Sequence, residues 1–132
     1  MAFETASPVA DLPLRACGCS FCRRHGTKAV ADPNGRLTIS APPNGLNRYR
    51  FGLRTADYLI CRTCGAYIAA VISGHGEERA TLNVTATAIP GLADRHAEPV
   101  DYDRESAEDR RARRLTTWTP SRIVQQAQAG VG

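Results

Sequence analysis

The sequence predicts a small, mostly β domain of antiparallel strands with one short C-terminal helix. Short runs of β-forming residues alternate with turn sequences between residues 36 and 89, and a Pro-Gly pair follows the last run. The 132 residues, of which 42% are hydrophobic, fit one domain with a modest core. We therefore expect a single domain over residues 1–132, with its core at about 12–92 and a helix and tail at 93–132.

The first predicted strands are separated by turn sequences rich in proline, asparagine and glycine. A brief strand at 12–16 leads into the first cysteines. Turns at 32–35 and 42–45 enclose a strand at 36–40, with Leu37 and Ile39 on one face. In the next segment, 47–53, aromatic and apolar residues such as Tyr49 alternate with arginine and glycine. This period of two predicts a half-buried strand.

Further strands are expected at 57–60, 67–72 and 79–89. A tight turn at 73–76 separates the last two and places His75 in solvent. Leu82, Val84, Ala86 and Ala88 recur at every second position, which extends the last predicted strand to residue 89.

A surface helix is predicted over residues 106–115. Ser106, with Asp109 three residues later, resembles a capping box, and acidic residues precede basic ones as the helix dipole favours. We interpret its arginines as a solvated face, and we expect Trp118 and Pro120 to pack the tail onto the domain. The four arginines are Arg110, Arg111, Arg113 and Arg114.

The charge pattern argues against nucleic-acid and membrane partners. The formal charge is +4, but the densest basic run follows a comparable run of acidic residues, so that segment is nearly neutral. The N-terminal residues lack the basic and apolar regions of a signal peptide, and no apolar run is long enough to span a bilayer. We expect a cytoplasmic protein, whose thiols stay reduced.

The five cysteines form a triplet and a pair, which is the spacing of metal ligands. An odd number of cysteines does not favour a disulfide framework. Two thiolates separated by two residues both reach one ion at about 2.3 Å when the turn between them is tight. Soft sulfur favours Zn²⁺ over Mg²⁺ or Ca²⁺, and the spacing suits an iron–sulfur cluster less well. The predicted zinc ligands are Cys17, Cys19, Cys22, Cys61 and Cys64.

The cysteine motifs also resemble those of a known family. Residues 17–24, Cys-Gly-Cys-Ser-Phe-Cys-Arg-Arg, are followed about forty positions later by Cys-Arg-Thr-Cys-Gly at 61–65. This combination resembles the glutathione-dependent formaldehyde-activating enzymes, or S-(hydroxymethyl)glutathione synthases, a family that includes the centromere protein V-like proteins. The resemblance covers about residues 14–89, including an aromatic strand that leads into the second cysteine pair.

The resemblance implies a β-tent fold with two zinc sites. It places a reactive zinc with an open coordination position on Cys17, Cys19 and Cys22, which become the catalytic residues. It assigns Cys61 and Cys64 to a structural zinc, whose other two ligands come from an upstream Cys-x-Cys pair in the family.

The sequence departs from the family at this second site, because no cysteine precedes Cys17. Two arrangements therefore stay open. One keeps the open triplet site, with Cys61 and Cys64 either without metal or completed by another residue or chain. The other gathers Cys19, Cys22, Cys61 and Cys64 in a single tetrahedral site, of which Cys17 is not a ligand.

Two functions of different classes follow. The first is a zinc-dependent carbon–sulfur lyase or synthase that acts on an adduct of an aldehyde with glutathione or another small thiol. The second is a non-catalytic, zinc-stabilised interaction module. For the enzyme, His25 is a candidate ligand or acid–base group, and Arg23 and Arg24 are candidate contacts for an anionic group such as a glutathione carboxylate.

Overall fold

The computed structural model describes residues 1–50, 55–74, 76–102 and 104–125. Within these ranges ten strands join in one sheet, accompanied by three helices. The predicted mostly β fold with a short C-terminal helix is confirmed. The sheet is mixed, however, because two of its strand pairs are parallel rather than antiparallel.

The strands, numbered along the chain, are short at both ends of the sequence and longest in the middle. They are β1 (Ala2–Glu4), β2 (Arg15–Cys17), β3 (Ala29–Val30), β4 (Arg36–Ala41), β5 (Leu46–Tyr49), β6 (Asp57–Cys61), β7 (Tyr67–Gly74), β8 (Glu77–Asn83), β9 (Glu98–Val100) and β10 (Thr119–Gln125). The helices are α1 (Ser20–Arg24), α2 (Val84–Thr87) and α3 (Ala107–Thr117), and Val9–Asp11 forms a single 3-10 turn.

The sheet forks at β8. One edge of β8 pairs with β7, which continues through β6 to β5. The other edge is divided: its first half pairs with β10 and its last residues pair with β3. From β10 the sheet continues to β4 and β1, and from β3 it continues to β2 and β9. The sheet thus includes strands from both ends of the chain, beyond the core expected at 12–92.

Both faces of β7 are buried, and each face belongs to a different apolar cluster. Ala69 and Val71 pack with the larger cluster, which includes Leu37, Leu59 and Leu82. The side chains between them, Ala70 and Ile72, pack with Tyr67 and Trp118 on the opposite face. The alternation from Ala69 to Ile72 follows from the two-residue period of a strand. Tyr67 joins the second cluster out of this alternation, at the point where the pairing of β6 with β7 shifts its register. The second cluster lies beside the cysteine triplet and forms its surroundings.

Most of the predicted strands of the middle region are present. The strands β4, β6 and β7 and the turns at 32–35 and 42–45 lie where the sequence predicts them. The first strand before the cysteines begins later than expected, at Arg15. The segment predicted at 47–53 forms β5 up to Tyr49, and its residues 51–53 lie outside the described ranges. Tyr49 is 49% exposed, although its ring stacks on Phe21 with centroids 5.9 Å apart.

The strand predicted over 79–89 is wrong beyond Asn83, where the chain turns into α2. The buried Asn83 side chain ends β8, because its Oδ1 accepts hydrogen bonds from the backbone N–H groups of Lys28 and Thr85, both at 3.2 Å. Its Nδ2 donates to the Tyr67 carbonyl oxygen at 2.9 Å. These contacts cap the helix and override the alternating pattern of the sequence.

The predicted C-terminal helix is confirmed as α3. The Ser106 Oγ accepts a hydrogen bond from the Asp109 N–H at 3.1 Å, as expected for an N-cap. Trp118 is buried, and the residues after it form β10 rather than a loose tail. His75 lies outside the described residues. In the described part of the chain, none of the helices is long and apolar enough to cross a membrane.

Candidate metal centre

The triplet of cysteines is assembled by a strand end and a short helix. Cys17 is the last residue of β2, and the Gly18 N–H donates to the Val100 carbonyl oxygen at 3.1 Å. Cys19 is the N-cap of α1, and its Sγ accepts a hydrogen bond from the Cys22 N–H at 3.4 Å. Cys22 lies within α1 and is buried. The three Sγ atoms all lie within 4.8 Å of one another.

The triplet's geometry and donor chemistry suit a metal ion. Two sulfurs that each lie about 2.3 Å from a tetrahedral zinc are roughly 3.8 Å apart, which the observed cluster can satisfy. Three thiolates form a soft donor set, which favours Zn²⁺ among the common divalent ions. Cys17, Cys19 and Cys22 could therefore hold a metal, as the sequence predicts.

The electrostatics of the triplet also favour a cation. Hydrogen bonding with Cys17, burial, and the negative charges of Cys17 and Cys19 raise the pKa of the Cys22 thiol far above its ordinary value. Without a cation nearby, the three thiols are therefore not all deprotonated at neutral pH. A divalent ion reverses this balance, because its charge stabilises neighbouring thiolates.

The second cysteine pair forms a separate knuckle-like turn. Cys61 ends β6, and the Gly65 N–H donates to its carbonyl oxygen at 2.8 Å. Gly65 has a φ of +76°, the left-handed conformation expected for a glycine after such a pair. Hydrogen bonds from the backbone N–H groups of Cys64 and Thr63 lower the pKa of the Cys61 thiol. Two thiols thus lie in one turn, with Cys64 exposed to solvent.

The pair does not join the triplet. Among the described residues, Cys17, Cys19 and Cys22 form the one cluster of three or more cysteine, histidine or acidic ligand atoms. The structure therefore does not bring Cys19, Cys22, Cys61 and Cys64 together as one four-sulfur site. Of the two arrangements that the sequence left open, the geometry favours the triplet.

The other sequence candidates lie around the triplet without joining it. His25 follows α1, and its ring packs against Phe21 with centroids 4.5 Å apart and against Tyr67 at 5.9 Å. It is absent from the ligand cluster, so it contributes to an aromatic wall. Arg23 and Arg24 are exposed on α1, and neither lines the cavity described next.

A cavity of about 370 Å³ opens beside the triplet. Its lining includes Cys17 and Cys22 together with Tyr58, Tyr67 and Arg114. Burial raises the pKa of both tyrosine hydroxyls, which therefore stay protonated at neutral pH. A small molecule in this cavity would meet the cysteine sulfurs and hydroxyl donors together.

Arg114 is a residue of this site that the charge pattern of the sequence does not indicate. The prediction that all four arginines of α3 form a solvated face is wrong for Arg114, whose side chain is buried and lines the cavity. Its guanidinium carbon lies 4.8 Å from the centroid of the Trp118 ring, and its NH1 donates to the Thr55 Oγ1 at 2.6 Å. The only signal in the sequence is the spacing of four between Arg114 and Trp118, which brings the two residues together at the end of α3, where the Trp118 N–H donates to the Arg114 carbonyl oxygen at 3.0 Å.

Comparison with known proteins gives one partial likeness. No protein-family model matches the chain, and none of the curated proteins matches it. The chain is similar to a protein of Rhodobacter sphaeroides, a Northeast Structural Genomics target with a crystal structure, at 29% identity and a TM-score of 0.47. The match covers 74% of this chain and 90% of that one.

Proposed function

We propose that this protein is a zinc-dependent carbon–sulfur lyase or synthase that acts on adducts of an aldehyde with glutathione or another small thiol. The observation that carries the proposal is the contact between the triplet and the cavity: Cys17 and Cys22 line a space of about 370 Å³. A purely structural metal site is normally closed by four protein ligands, whereas three sulfurs leave room for a substrate atom.

The residues that would hold zinc are Cys17, Cys19 and Cys22. Zinc in this site would supply a Lewis acid and a binding position for a thiolate. Only these three ligand residues cluster within the described chain, which supports a site that keeps one position for substrate. Their confinement to six residues of sequence also keeps the other cavity walls free for recognition.

The protein's own groups serve the rest of the reaction. In the synthesis direction the thiol sulfur bonds to the aldehyde carbon, and the thiol proton ends on the former carbonyl oxygen. In the lyase direction that carbon–sulfur bond breaks, and the same proton returns to sulfur. Tyr58 and Tyr67 remain protonated and line the cavity, so they can donate hydrogen bonds to the oxygen in both directions.

The wall made by the second apolar cluster excludes water from the reacting atoms. Ala70 and Trp118 are buried and line the cavity, so one side of it is apolar. A thiol–aldehyde adduct exchanges readily with its components in water, which makes such shielding useful to a synthase. We place this activity in the cytoplasm, where thiols remain reduced.

The test compares Cys17→Ala with Cys64→Ser in protein purified with zinc. Cys17 belongs to the triplet and lines the cavity, whereas Cys64 is exposed and lies outside the triplet. We expect Cys17→Ala to lose both triplet zinc and catalysed exchange between glutathione, formaldehyde and their adduct, measured by exchange NMR. Cys64→Ser should retain catalysed exchange.

The competing function is the zinc-stabilised interaction module. Full zinc retention in Cys17→Ala, together with no thiol binding and no catalysed exchange in the unaltered protein, would replace the enzyme with that module.

A further inference from the structure

Arg114 is a buried cation without a carboxylate partner in the described part of the chain. Its relative exposure is 7%, and no acidic side chain among the described residues lies within salt-bridge distance. Its neighbour in α3, Arg113, shows the contrast, because Arg113 donates to the Glu105 carboxylate at 2.8 and 3.0 Å. The sequence provides a carboxylate for the more exposed arginine and none for the buried one.

The guanidinium is held in place but not fully satisfied. The guanidinium donates hydrogen bonds to the hydroxyl oxygens of Thr55 and Tyr58, and its flat face lies over the Trp118 ring. The Nε atom of Arg114 is buried and has no hydrogen-bond partner among the described atoms. Buried charges are normally paired, so a cation held in this way is suited to an anion that arrives with a ligand.

The same cavity connects this cation to the cysteine triplet. Its lining includes Cys17, Cys22, Tyr58 and Arg114. Two more arginines line it: Arg113, which is already paired with Glu105, and Arg15, which precedes Cys17 by two positions on β2, so that both lie on one face of the strand. The cavity is therefore lined by two cysteines and three arginines, and among the described residues only Arg113 of these arginines is paired with a carboxylate.

The acidic residues of the cavity do not neutralise this charge. Asp32 is buried, and its two oxygens accept hydrogen bonds from the backbone N–H groups of Ala6 at 2.7 Å and Asn34 at 3.0 Å. Asp11 is exposed, and it forms no salt bridge with either arginine among the described pairs. An anionic ligand can thus meet Arg114 without displacing an internal carboxylate.

We infer that the cavity selects small thiols that carry a carboxylate, with the thiol at Cys17 and Cys22 and the carboxylate at Arg114. This inference rests on the proposed function for the thiol end and on Arg114 for the other end. The substrate class is a thiol acid and its aldehyde adduct. Arg114 is the residue that distinguishes this class from neutral thiols.

Trp118 provides a direct probe of binding. It is the only tryptophan of the chain, and its ring lies against the Arg114 guanidinium, so an anion bound there should change its fluorescence. Three compounds separate the two ends of the site: 3-mercaptopropionate, its methyl ester, and propionate. We expect the zinc-loaded protein to bind the thiol acid about tenfold more tightly than the ester, because a charge-assisted hydrogen bond is lost in the ester.

Two variants of α3 test the assignment to Arg114. Arg114→Met removes the charge while keeping much of the side-chain volume, and we expect it to bind acid and ester equally. Arg111→Met is the matched control, because Arg111 is exposed on the same helix and does not line the cavity; the tenfold preference should persist in it. Zinc content and far-ultraviolet circular dichroism are measured on both variants.

Binding measurements on the unaltered protein are sufficient to refute the inference, even if a variant does not fold. Equal binding of the acid and the ester by the zinc-loaded protein would overturn it, as would an acid preference that survives in folded Arg114→Met. These outcomes are distinct from failure of the proposed function. If the protein catalyses adduct exchange but binds acid and ester equally, only this inference is contradicted. If propionate and the thiol acid bind in an Arg114-dependent way but no exchange is catalysed, the anion site is supported and the proposed enzyme function is contradicted.

Discussion

The Cys19 Sγ accepts a hydrogen bond from the backbone N–H of Cys22, at 3.4 Å, so one candidate ligand caps the helix that carries another. A serine or aspartate normally occupies this N-cap position, and here sulfur replaces oxygen. The contact orders both residues through the backbone. The relative position of the two sulfurs is therefore set by local folding before any metal binds.

Two substitutions separate the roles of Cys19 as helix cap and as candidate metal ligand. Cys19→Ser keeps a capping acceptor but removes a soft ligand, whereas Cys19→Ala removes both. We expect both variants to lose triplet zinc and to melt at lower temperature than the unaltered protein, because binding energy is folding energy. In excess chelator, the alanine variant should be about 1 kcal/mol less stable than the serine variant.

Chelator titration of the unaltered protein completes this test. Its melting temperature should fall on chelation towards that of Cys19→Ser. Purified protein that contains no zinc, and whose melting is indifferent to chelator, would contradict the metal site itself.

The tyrosines of the cavity should affect turnover without affecting metal. Tyr58 and Tyr67 have raised pKa values because they are buried, so their hydroxyls act as donors at neutral pH. We expect Tyr58→Phe and Tyr67→Phe each to slow catalysed adduct exchange by about tenfold, the effect of one lost hydrogen bond, with zinc content unchanged. Tyr49→Phe is the control, since Tyr49 is 49% exposed and absent from the cavity lining. If adduct exchange is equally fast in all three variants, the Tyr58 and Tyr67 hydroxyls do not take part in the reaction.

Asn83 should be a sensitive position for stability. Its side chain is buried and contacts the backbone of Lys28, Tyr67 and Thr85. Asn83→Ala leaves these buried groups without partners, and we expect a loss of about 2–4 kcal/mol in the free energy of unfolding. Urea denaturation measures it. Thr85→Ala, which alters an exposed side chain in the same turn, should cost less than half as much; comparable losses would show that Asn83 is not the key contact.

The Glu105–Arg113 pair predicts a dependence of stability on pH. Its hydrogen bonds with Arg113 lower the pKa of the Glu105 carboxyl below the ordinary value of 4.5. The pair therefore contributes stability above that value, and the contribution is lost as pH falls through the lowered pKa. We expect Glu105→Gln to be less stable than the unaltered protein by up to about 1 kcal/mol at neutral pH and equal to it in strong acid.

The arginines of α3 predict the absence of nucleic-acid binding. Arg110 donates to the Tyr102 carbonyl oxygen at 2.7 Å, Arg111 donates to that of Ser73, and Arg113 pairs with Glu105. Internal contacts thus engage these side chains, and the helix lacks a free basic stripe. Fluorescence anisotropy with duplex DNA and single-stranded RNA should show no tight binding at physiological salt. Salt-dependent binding that disappears in Arg110→Gln/Arg111→Gln would refute this prediction.

Features that depend on neighbouring residues in sequence could be predicted well. The triplet occupies six consecutive positions, so strand-end and helix-cap geometry bring its sulfurs together without help from distant parts of the chain. The cap at Ser106 was recognisable for the same reason, because its partner is the N–H of Asp109.

Features that depend on distant contacts could not be predicted. β10 pairs in parallel with β4, and nothing in the local pattern of either strand specifies the other. The apolar alternation through Ala88 favoured a longer strand, but Asn83 bonds to Lys28 and Tyr67 and ends it. Arg114 was expected in solvent because charge patterns describe a helix by itself, and its burial arises from packing against the sheet. The cavity is built from such long-range contacts, so the sequence indicated the cysteines more clearly than their surroundings.

The position of β10 between β4 and β8 also has a consequence for synthesis of the protein. Until the ribosome has released residues 119–125, the facing edges of β4 and β8 have no strand between them. A nascent chain at that stage already contains every cysteine, yet it exposes two backbone edges that can recruit strands from other chains. We therefore expect chains truncated before Thr119 to be lost to aggregation, even where zinc is plentiful.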